Sequence, residues 1–135
     1  MKIFAVYDTN ILVSGLLSKH QDSAVVLTLE ALLNKEVTPL YNQEILDEYR
    51  DVLHRKKFKL PTDLVDSVVN QIEKDGLQAD RVKTDEVFTD PDDVVFYEVA
   101  LSKEDAFLVT GNTKHFPKKP IVVSPAEFLK ILGKL

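Results

Sequence analysis

The sequence predicts a three-layer α/β/α sandwich around a mostly parallel central sheet. Short, continuous apolar runs alternate with segments of helical periodicity, in the order β-α-α-β-α-α-β-α-β-β-α. The chain has 135 residues, of which 44% are hydrophobic and 29% charged, as in ordinary globular proteins. This length suits one compact domain, so we expect a single α/β domain over residues 1–135.

The first half of the chain predicts two strands and a series of helices. The opening run is apolar without a break, which favours a central strand buried on both faces. Asp22 or Ser23 is a favoured N-cap for the long helix, and Asn42 for the next one. The predicted elements are a strand over 2–7, helical segments at 16–17 and 23–34, a strand over 37–41, and helices over 42–53 and 61–76.

The second half predicts a shorter set of elements. Gly111 ends one strand, and Ser124 followed by Pro125 is a favoured start for the last helix. The predicted elements are a short edge strand at 79–82, a helix over 92–102, strands over 106–110 and 121–123, and a helix from 125 onward.

Composition excludes several classes of site. The chain has no cysteine, which excludes disulfides, thiolate metal sites and cysteine nucleophiles, and fits a cytoplasmic protein. No apolar run approaches the roughly 20 residues that span a bilayer, so we expect no membrane segment. The net charge of −5 disfavours extensive coating of nucleic acid through phosphate contacts alone. An acidic protein can still be a nuclease, because a bound cation reverses the local charge.

Acidic and amide side chains are expected to converge at one edge of the sheet. Asp8 follows the first strand, Glu44 lies in the first turn of the helix after the second, and Asn112 follows the 106–110 strand. The carboxyl ends of parallel strands share an edge, where sites collect. Asp92 and Asp93 join them if their loop returns to this edge.

Such a cluster of carboxylates needs a cation, since unpaired like charges are costly to bring together. Oxygen ligands without cysteine or paired histidines select a hard ion, Mg²⁺ or Mn²⁺. A hard ion with open water positions suits phosphodiester hydrolysis. Each residue also has a structural interpretation: Asp8 as a helix cap, Glu44 as a solvated side chain, and 90–93 and 111–112 as turns.

Four segments together resemble the PIN-domain family, and in particular its VapC-like toxins. They are the run 8–15 after the first strand, 44–49, 90–93 with Ala100 downstream, and 108–116. The resemblance covers nearly the whole chain. It implies an α/β/α sandwich, Mg²⁺- or Mn²⁺-dependent cleavage of RNA, frequent homodimerisation, and inhibition by a cognate antitoxin protein.

The resemblance also implies roles for individual residues. Asp8, Glu44 and Asp93 match the family's metal-binding acids, with Asp92 as a possible helper. Asn112 stands where many members have an aspartate, and an amide oxygen can ligate a metal but adds no charge. Residues expected to hold water or support the acids or substrate are Thr9, Asn10, Thr110 and Lys114.

Two basic runs and two other functions stay open at this point. The runs 54–59 and 114–119 could contact RNA phosphates, with Phe58 stacking on a base, or could be solvated surface. The first alternative function is a catalytically weak module that binds RNA or an antitoxin, which Asn112 favours. The second is a phosphatase with Asp8 as nucleophile, but Asn10 then stands where the general acid belongs.

Overall fold

The computed structural model describes residues 2–135. Between those residues the chain forms five strands and six α-helices. The strands are β1 (Phe4–Tyr7), β2 (Thr38–Tyr41), β3 (Leu77–Gln78), β4 (Phe107–Val109) and β5 (Val122–Val123). The helices are α1 (Thr9–Leu17), α2 (Ala24–Leu33), α3 (Gln43–Leu53), α4 (Thr62–Asp75), α5 (Val94–Ala100) and α6 (Pro125–Ile131).

The five strands form one parallel sheet in the order β3-β2-β1-β4-β5. The predicted α/β sandwich with a parallel sheet is therefore confirmed. The first strand is central, and Tyr7 at its end pairs with Val109 at the end of β4. The chain then leaves β1 through Asp8, whose backbone N–H donates to the Val109 carbonyl at 2.9 Å. This register places the residues after β1 and β4 side by side.

The core lies on both faces of β1, whose last three residues are almost fully buried. Two tyrosine hydroxyls satisfy buried carbonyls there: Tyr7 donates to Thr28 at 2.8 Å, and Tyr49 donates to Tyr7 at 2.5 Å. The Tyr7 ring also meets Phe128 of α6 edge-on, with centroids 6.1 Å apart. Burying an aromatic side chain of this kind stabilises the fold by roughly 1.5–3 kcal/mol. The end of β1 is therefore held firmly.

Three element boundaries differ from the sequence predictions. The first helix starts at Thr9 rather than near residue 16, because Ile11 and Leu12 are buried against the core. Strand β3 is Leu77–Gln78, so the prediction of a strand at 79–82 is wrong. Ala79 donates the last bond to β2, and the chain then turns toward α5. That helix begins at Val94, after a 3₁₀ turn over Pro91–Asp93.

Residues 79–90 form a long connection without helix or strand between β3 and the turn that precedes α5. Arg81 anchors its first part through Glu98 on α5, and the Thr84 N–H also donates to Glu98, at 2.8 Å. Phe88 anchors its last part by packing edge-on against Tyr97 and Phe116. This connection, called the 79–90 connection below, therefore returns to the sheet in a defined position.

None of the helices within residues 2–135 is both long and apolar enough to cross a membrane.

Candidate active site

Asp8 lies at the carboxyl end of the central strand and is 7% exposed. It is the N-terminal cap residue of α1 by position, but its side chain makes no capping hydrogen bond. Instead, its Oδ2 accepts from the Thr110 hydroxyl at 2.7 Å and from the Asn10 amide at 3.1 Å. The interpretation of Asp8 as only a helix cap therefore does not account for the contacts of its carboxylate.

The groups that hold Asp8 are themselves tied together across the sheet. The Asn10 side-chain oxygen accepts from the Gly111 N–H at 3.2 Å, and the Thr110 hydroxyl accepts from the Asn112 N–H at 3.0 Å. These bonds join the first turn of α1 to the residues that follow β4. Because Asn10 and Thr110 are bonded on both sides, Asp8 has little freedom to turn away.

Glu48 is the second acid at this site. It lies on α3, is half-buried, and accepts a hydrogen bond from the Thr9 hydroxyl. Thr9 is next to Asp8 in the chain, so this bond draws α3 toward the end of β1. The side chains of Asp8, Glu48 and Asp93 line one cleft of about 370 Å³, which we call the acid cleft.

The sequence predicts Glu44 as a metal-binding acid beside Asp8 and Asp93, but the structure does not bring Glu44 into the acid cleft. It lies one helical turn before Glu48, where Arg81 of the 79–90 connection pairs with it at 3.0 Å. Its side chain is 58% exposed. The two glutamates are four residues apart and share a helix face, so periodicity alone could not separate them. The position of Arg81 does.

The segment 90–93 both forms a 3₁₀ turn and lines the acid cleft. Asp90 caps the 3₁₀ turn by accepting from the Asp92 N–H at 2.9 Å. Asp92 and Asp93 both line the acid cleft, as does Asp90. The Asp93 side chain is only 17% exposed, and its Oδ2 lies 4.0 Å from Nδ1 of His115. The loop therefore does return to the carboxyl edge of the sheet.

The cleft acids hold their protons more firmly than ordinary carboxyls. Burial, followed by the charge of Asp8, raises the pKa of Asp93 to about 6. Burial also raises the pKa of Glu48, with Asp8 and Asp92 adding to the shift although the Thr9 hydrogen bond opposes it. Burial raises the pKa of Asp8, against the hydrogen bond from Thr110. Burial is the main cause of all three shifts, and neighbouring carboxylates add to those of Glu48 and Asp93.

This donor set fits a hard divalent cation in its chemistry. Carboxylate oxygens are the preferred protein ligands of Mg²⁺ and Mn²⁺, and a cation would favour the charged form of carboxyls whose pKa values burial raises. In residues 2–135, however, no three histidine or acidic side chains stand close enough together to hold an ion as they are. Asp8, Glu48 and Asp93 would have to draw closer together to bind it.

Asn112 and Lys114 lie outside the acid cleft. Asn112 lines a neighbouring hollow with Asn10 and Gly111, and Lys114 lines a separate one with Phe116 and Lys119. Both were expected at the site because they follow β4 closely. After Thr110 the chain enters a 3₁₀ turn over Thr113–His115, which brings His115 rather than Lys114 close to Asp93.

Arg55 and Phe58 line the acid cleft on its other side. They belong to the basic run 54–59, whose sequence favours phosphate contact and solvated surface about equally. The sequence favours an RNA contact for this run, with Phe58 stacking on a base, as one of two interpretations, but it does not place either residue at the acid cleft. The available signal was their position just beyond α3, the helix that carries Glu48.

Comparison with known proteins gives one match. No curated protein and no solved structure matches this chain. A family model described as PIN domain matches residues 5–114, which include the three cleft acids and their hydrogen-bonding partners. The match covers most of the chain, so the protein belongs to the PIN-domain family, whose members are generally metal-dependent nucleases.

Proposed function

We propose that this protein is a Mg²⁺- or Mn²⁺-dependent endoribonuclease, acting in the cytoplasm as the toxin of a toxin–antitoxin pair, within a single domain over 1–135. The observation that carries the proposal is the acid cleft. Asp8, Glu48 and Asp93 come from three separate parts of the chain and line one cleft, where burial raises their pKa values and the charge of Asp8 adds to the shift at Glu48 and Asp93. Membership of a nuclease family supports hydrolysis of nucleic acid as the use of that charge.

The proposed ligands are Asp8, Glu48 and Asp93, with Glu48 taking the place that the sequence suggested for Glu44. An ion held there would lower the pKa of a water molecule and stabilise charge on the phosphate. The other residues act on the ligands. Thr110 and Asn10 orient Asp8, and Thr9 orients Glu48. Such supporting hydrogen bonds commonly change metal affinity or activity by roughly 10- to 100-fold.

Cleavage of a single-stranded RNA tests the proposal. Purified protein should cut it with Mn²⁺ or Mg²⁺ and stop when a chelator is added. Asp8→Asn and Asp93→Asn should each remove cutting while the circular dichroism spectrum and unfolding cooperativity are retained. Asp85→Asn is the control, because Asp85 is exposed on the 79–90 connection and outside the cleft. Unchanged cleavage rates in both cleft variants would refute the proposal.

A second candidate is a PIN-like module that binds RNA or an antitoxin without cutting. The spacing of the acids favours it, since no three of them in the described chain are already within reach of one ion. Binding of RNA that persists with chelator, together with no cleavage under any divalent metal, would favour this module. Cleavage that a chelator blocks would exclude it.

The toxin proposal also names protein partners. A short open reading frame beside this gene should encode an antitoxin that co-purifies with the protein and suppresses its cleavage of RNA. We also propose a homodimer in solution, which light scattering coupled to gel filtration would measure. A monomeric mass at all concentrations would remove the dimer from the proposal without affecting the nuclease.

A further inference from the structure

Phe58 is a half-buried aromatic ring in an unusual place. It lines the acid cleft beside Glu48 and Asp93, although it is not one of the apolar side chains that pack against the core of the described chain. Lys57 lies over its ring, with the ammonium 5.1 Å from the centroid. Core packing therefore does not explain why an aromatic side chain stands at the edge of an acidic site.

Local backbone structure holds the ring in position. Phe58 ends a 3₁₀ turn in which its N–H donates to the Arg55 carbonyl, and the Lys59 N–H donates to that of Lys56, both at 3.1 Å. Lys59 then takes a left-handed conformation with φ of 55°, which is uncommon for a residue with a side chain. The turn follows directly on the end of α3. The ring is thus attached to the same helix as Glu48.

Arg55 supplies positive charge beside the ring. Arg55 is among the residues that line the cleft, and one terminal nitrogen of its guanidinium pairs with Asp51, one turn back on α3, at 3.2 Å. A guanidinium carries five N–H donors in a planar fork, so this single bond leaves it able to engage a phosphate. The neighbouring lysines 56, 57 and 59 are exposed. The protein as a whole is acidic, with a net charge of −5, so this run is a local concentration of positive charge.

We propose that Phe58 and Arg55 form a nucleotide platform: Phe58 stacks on one unpaired base while Arg55 contacts the adjacent phosphate of the same RNA strand. This inference rests on the proposed function, since it assumes that the scissile phosphate lies over the acid cleft. An aromatic face next to a cation is the arrangement that proteins use for single-stranded nucleic acid. Bases in a duplex are stacked on both sides, so the platform would select unpaired segments.

RNA binding in the presence of chelator separates this inference from the proposed function, because no cleavage is needed. Fluorescence anisotropy with a short labelled single-stranded RNA should show Phe58→Leu binding about 5- to 100-fold more weakly than wild type, the range expected for loss of one stacked base. Phe58→Tyr should keep most of the affinity. Arg55→Gln should weaken binding and reduce its salt dependence by about one phosphate contact.

An abasic scan identifies the stacked base directly. One abasic position along the RNA should weaken binding by the wild-type protein but have no further effect on the Phe58→Leu variant. Phe4→Leu is a matched control: Phe4 is also half-buried and also lies under a lysine, Lys103 at 4.2 Å, but at the opposite edge of the sheet. It should bind RNA like wild type.

Several results would overturn the platform. It fails if the wild-type protein does not bind RNA, if abasic positions affect wild type and Phe58→Leu equally, or if Phe4→Leu weakens binding as much. It also fails if Phe58→Leu impairs only the binding of a protein partner. Parallel cleavage assays with Mn²⁺ distinguish the cases: cutting that does not depend on Phe58 removes the platform and keeps the nuclease, whereas no cutting at all removes the nuclease.

Discussion

One helical turn separates two glutamates of α3 that have different partners. Glu48 accepts a hydrogen bond from the Thr9 hydroxyl and lines the acid cleft, whereas Glu44 forms a solvent-exposed ion pair with Arg81. An exposed ion pair contributes about 0–1 kcal/mol. A carboxylate that belongs to a shared cluster of charge can instead decide whether a cation binds. The same residue type therefore lies in the acid cleft at one position and in an exposed ion pair at the other.

The matched pair Glu48→Gln and Glu44→Gln tests that distinction. We expect Glu48→Gln to lower metal-dependent RNA cleavage by about 100-fold or more, which corresponds to about 2.7 kcal/mol of transition-state stabilisation. Glu44→Gln should stay within about threefold of wild type, because Arg81 keeps its bond to Glu98. The measurement is kcat/KM on one RNA. Equal losses in the two variants would contradict this assignment.

Single positions differ in how far sequence could predict them. Asp8 follows an unbroken apolar strand, so its place at the carboxyl edge followed from the pattern. The placement of Asp93 required one further assumption, that its loop returns to the carboxyl edge of the sheet. Glu48 could not be chosen over Glu44, because the choice depends on Arg81, 33 residues further along the chain from Glu48. Phe58 and Arg55 could not be assigned to the acid cleft, because the sequence of a basic run does not indicate which of its side chains face the cleft.

At the scale of elements, the 79–90 connection depends on Glu98 of α5. This carboxylate is 7% exposed and accepts from Arg81 Nε at 2.7 Å and from the Thr84 N–H at 2.8 Å. Burial works against its charge, but these hydrogen bonds outweigh it and hold the pKa of Glu98 below its usual value. The connection ends at the turn that carries Asp93. Its anchoring therefore affects the acid cleft from a distance.

Glu98→Ala should release this connection. We expect faster amide hydrogen exchange over residues 79–90 and a loss of about 1–3 kcal/mol in the free energy of unfolding, because Arg81 and the Thr84 N–H lose a buried partner. The affinity for Mn²⁺ should fall more than the global stability suggests, as Asp93 is then less well placed. Glu104→Ala on the exposed turn after α5 is the control. Unchanged exchange over 79–90 would show that the aromatic contacts of Phe88 suffice.

Element order followed from the sequence because apolar runs and helical stripes alternate clearly. Boundaries followed less well. Strand β3 has only two residues, both exposed, so no hydrophobic pattern marks it. Helix α1 starts directly after β1, where Thr9 and Asn10 are weak helix formers, and its buried residues Ile11 and Leu12 decide its start. Tertiary contacts override local preference at both places.

Over the whole molecule, the acid cleft makes stability depend on pH. The pKa of Asp93 rises from its ordinary 3.8 to about 6, so the folded protein keeps this proton at a pH where the unfolded chain has lost it. The contribution of Asp93 to the free energy of unfolding is therefore highest below about pH 4 and falls as the pH rises to about 6. A bound cation would reverse this loss.

Urea unfolding of metal-free protein should show this behaviour. Asp93→Asn should become more stable relative to wild type between about pH 4 and about pH 6, by on the order of 1 kcal/mol, because it removes the repelled charge. Near neutral pH, Mn²⁺ at about 100 times its Kd should stabilise wild type by about 2.7 kcal/mol and the variant by less. Asp85→Asn should follow wild type. Equal stabilisation of the wild type and the Asp93→Asn variant by Mn²⁺ would contradict a metal role for Asp93.

The two halves of the cleft are built differently, and this bears on how such a protein can diversify. Asp8 directly follows the central strand, where any displacement would disturb the core, whereas Asp93 ends a 3₁₀ turn that follows the irregular 79–90 connection. Insertions, deletions or substitutions within the 79–90 connection can alter the position of Asp93 relative to Asp8 without changing the sheet. Replacing the loop between Gln78 and Asp90 would therefore be a way to change the metal preference of the proposed site while the sheet and its core stay the same.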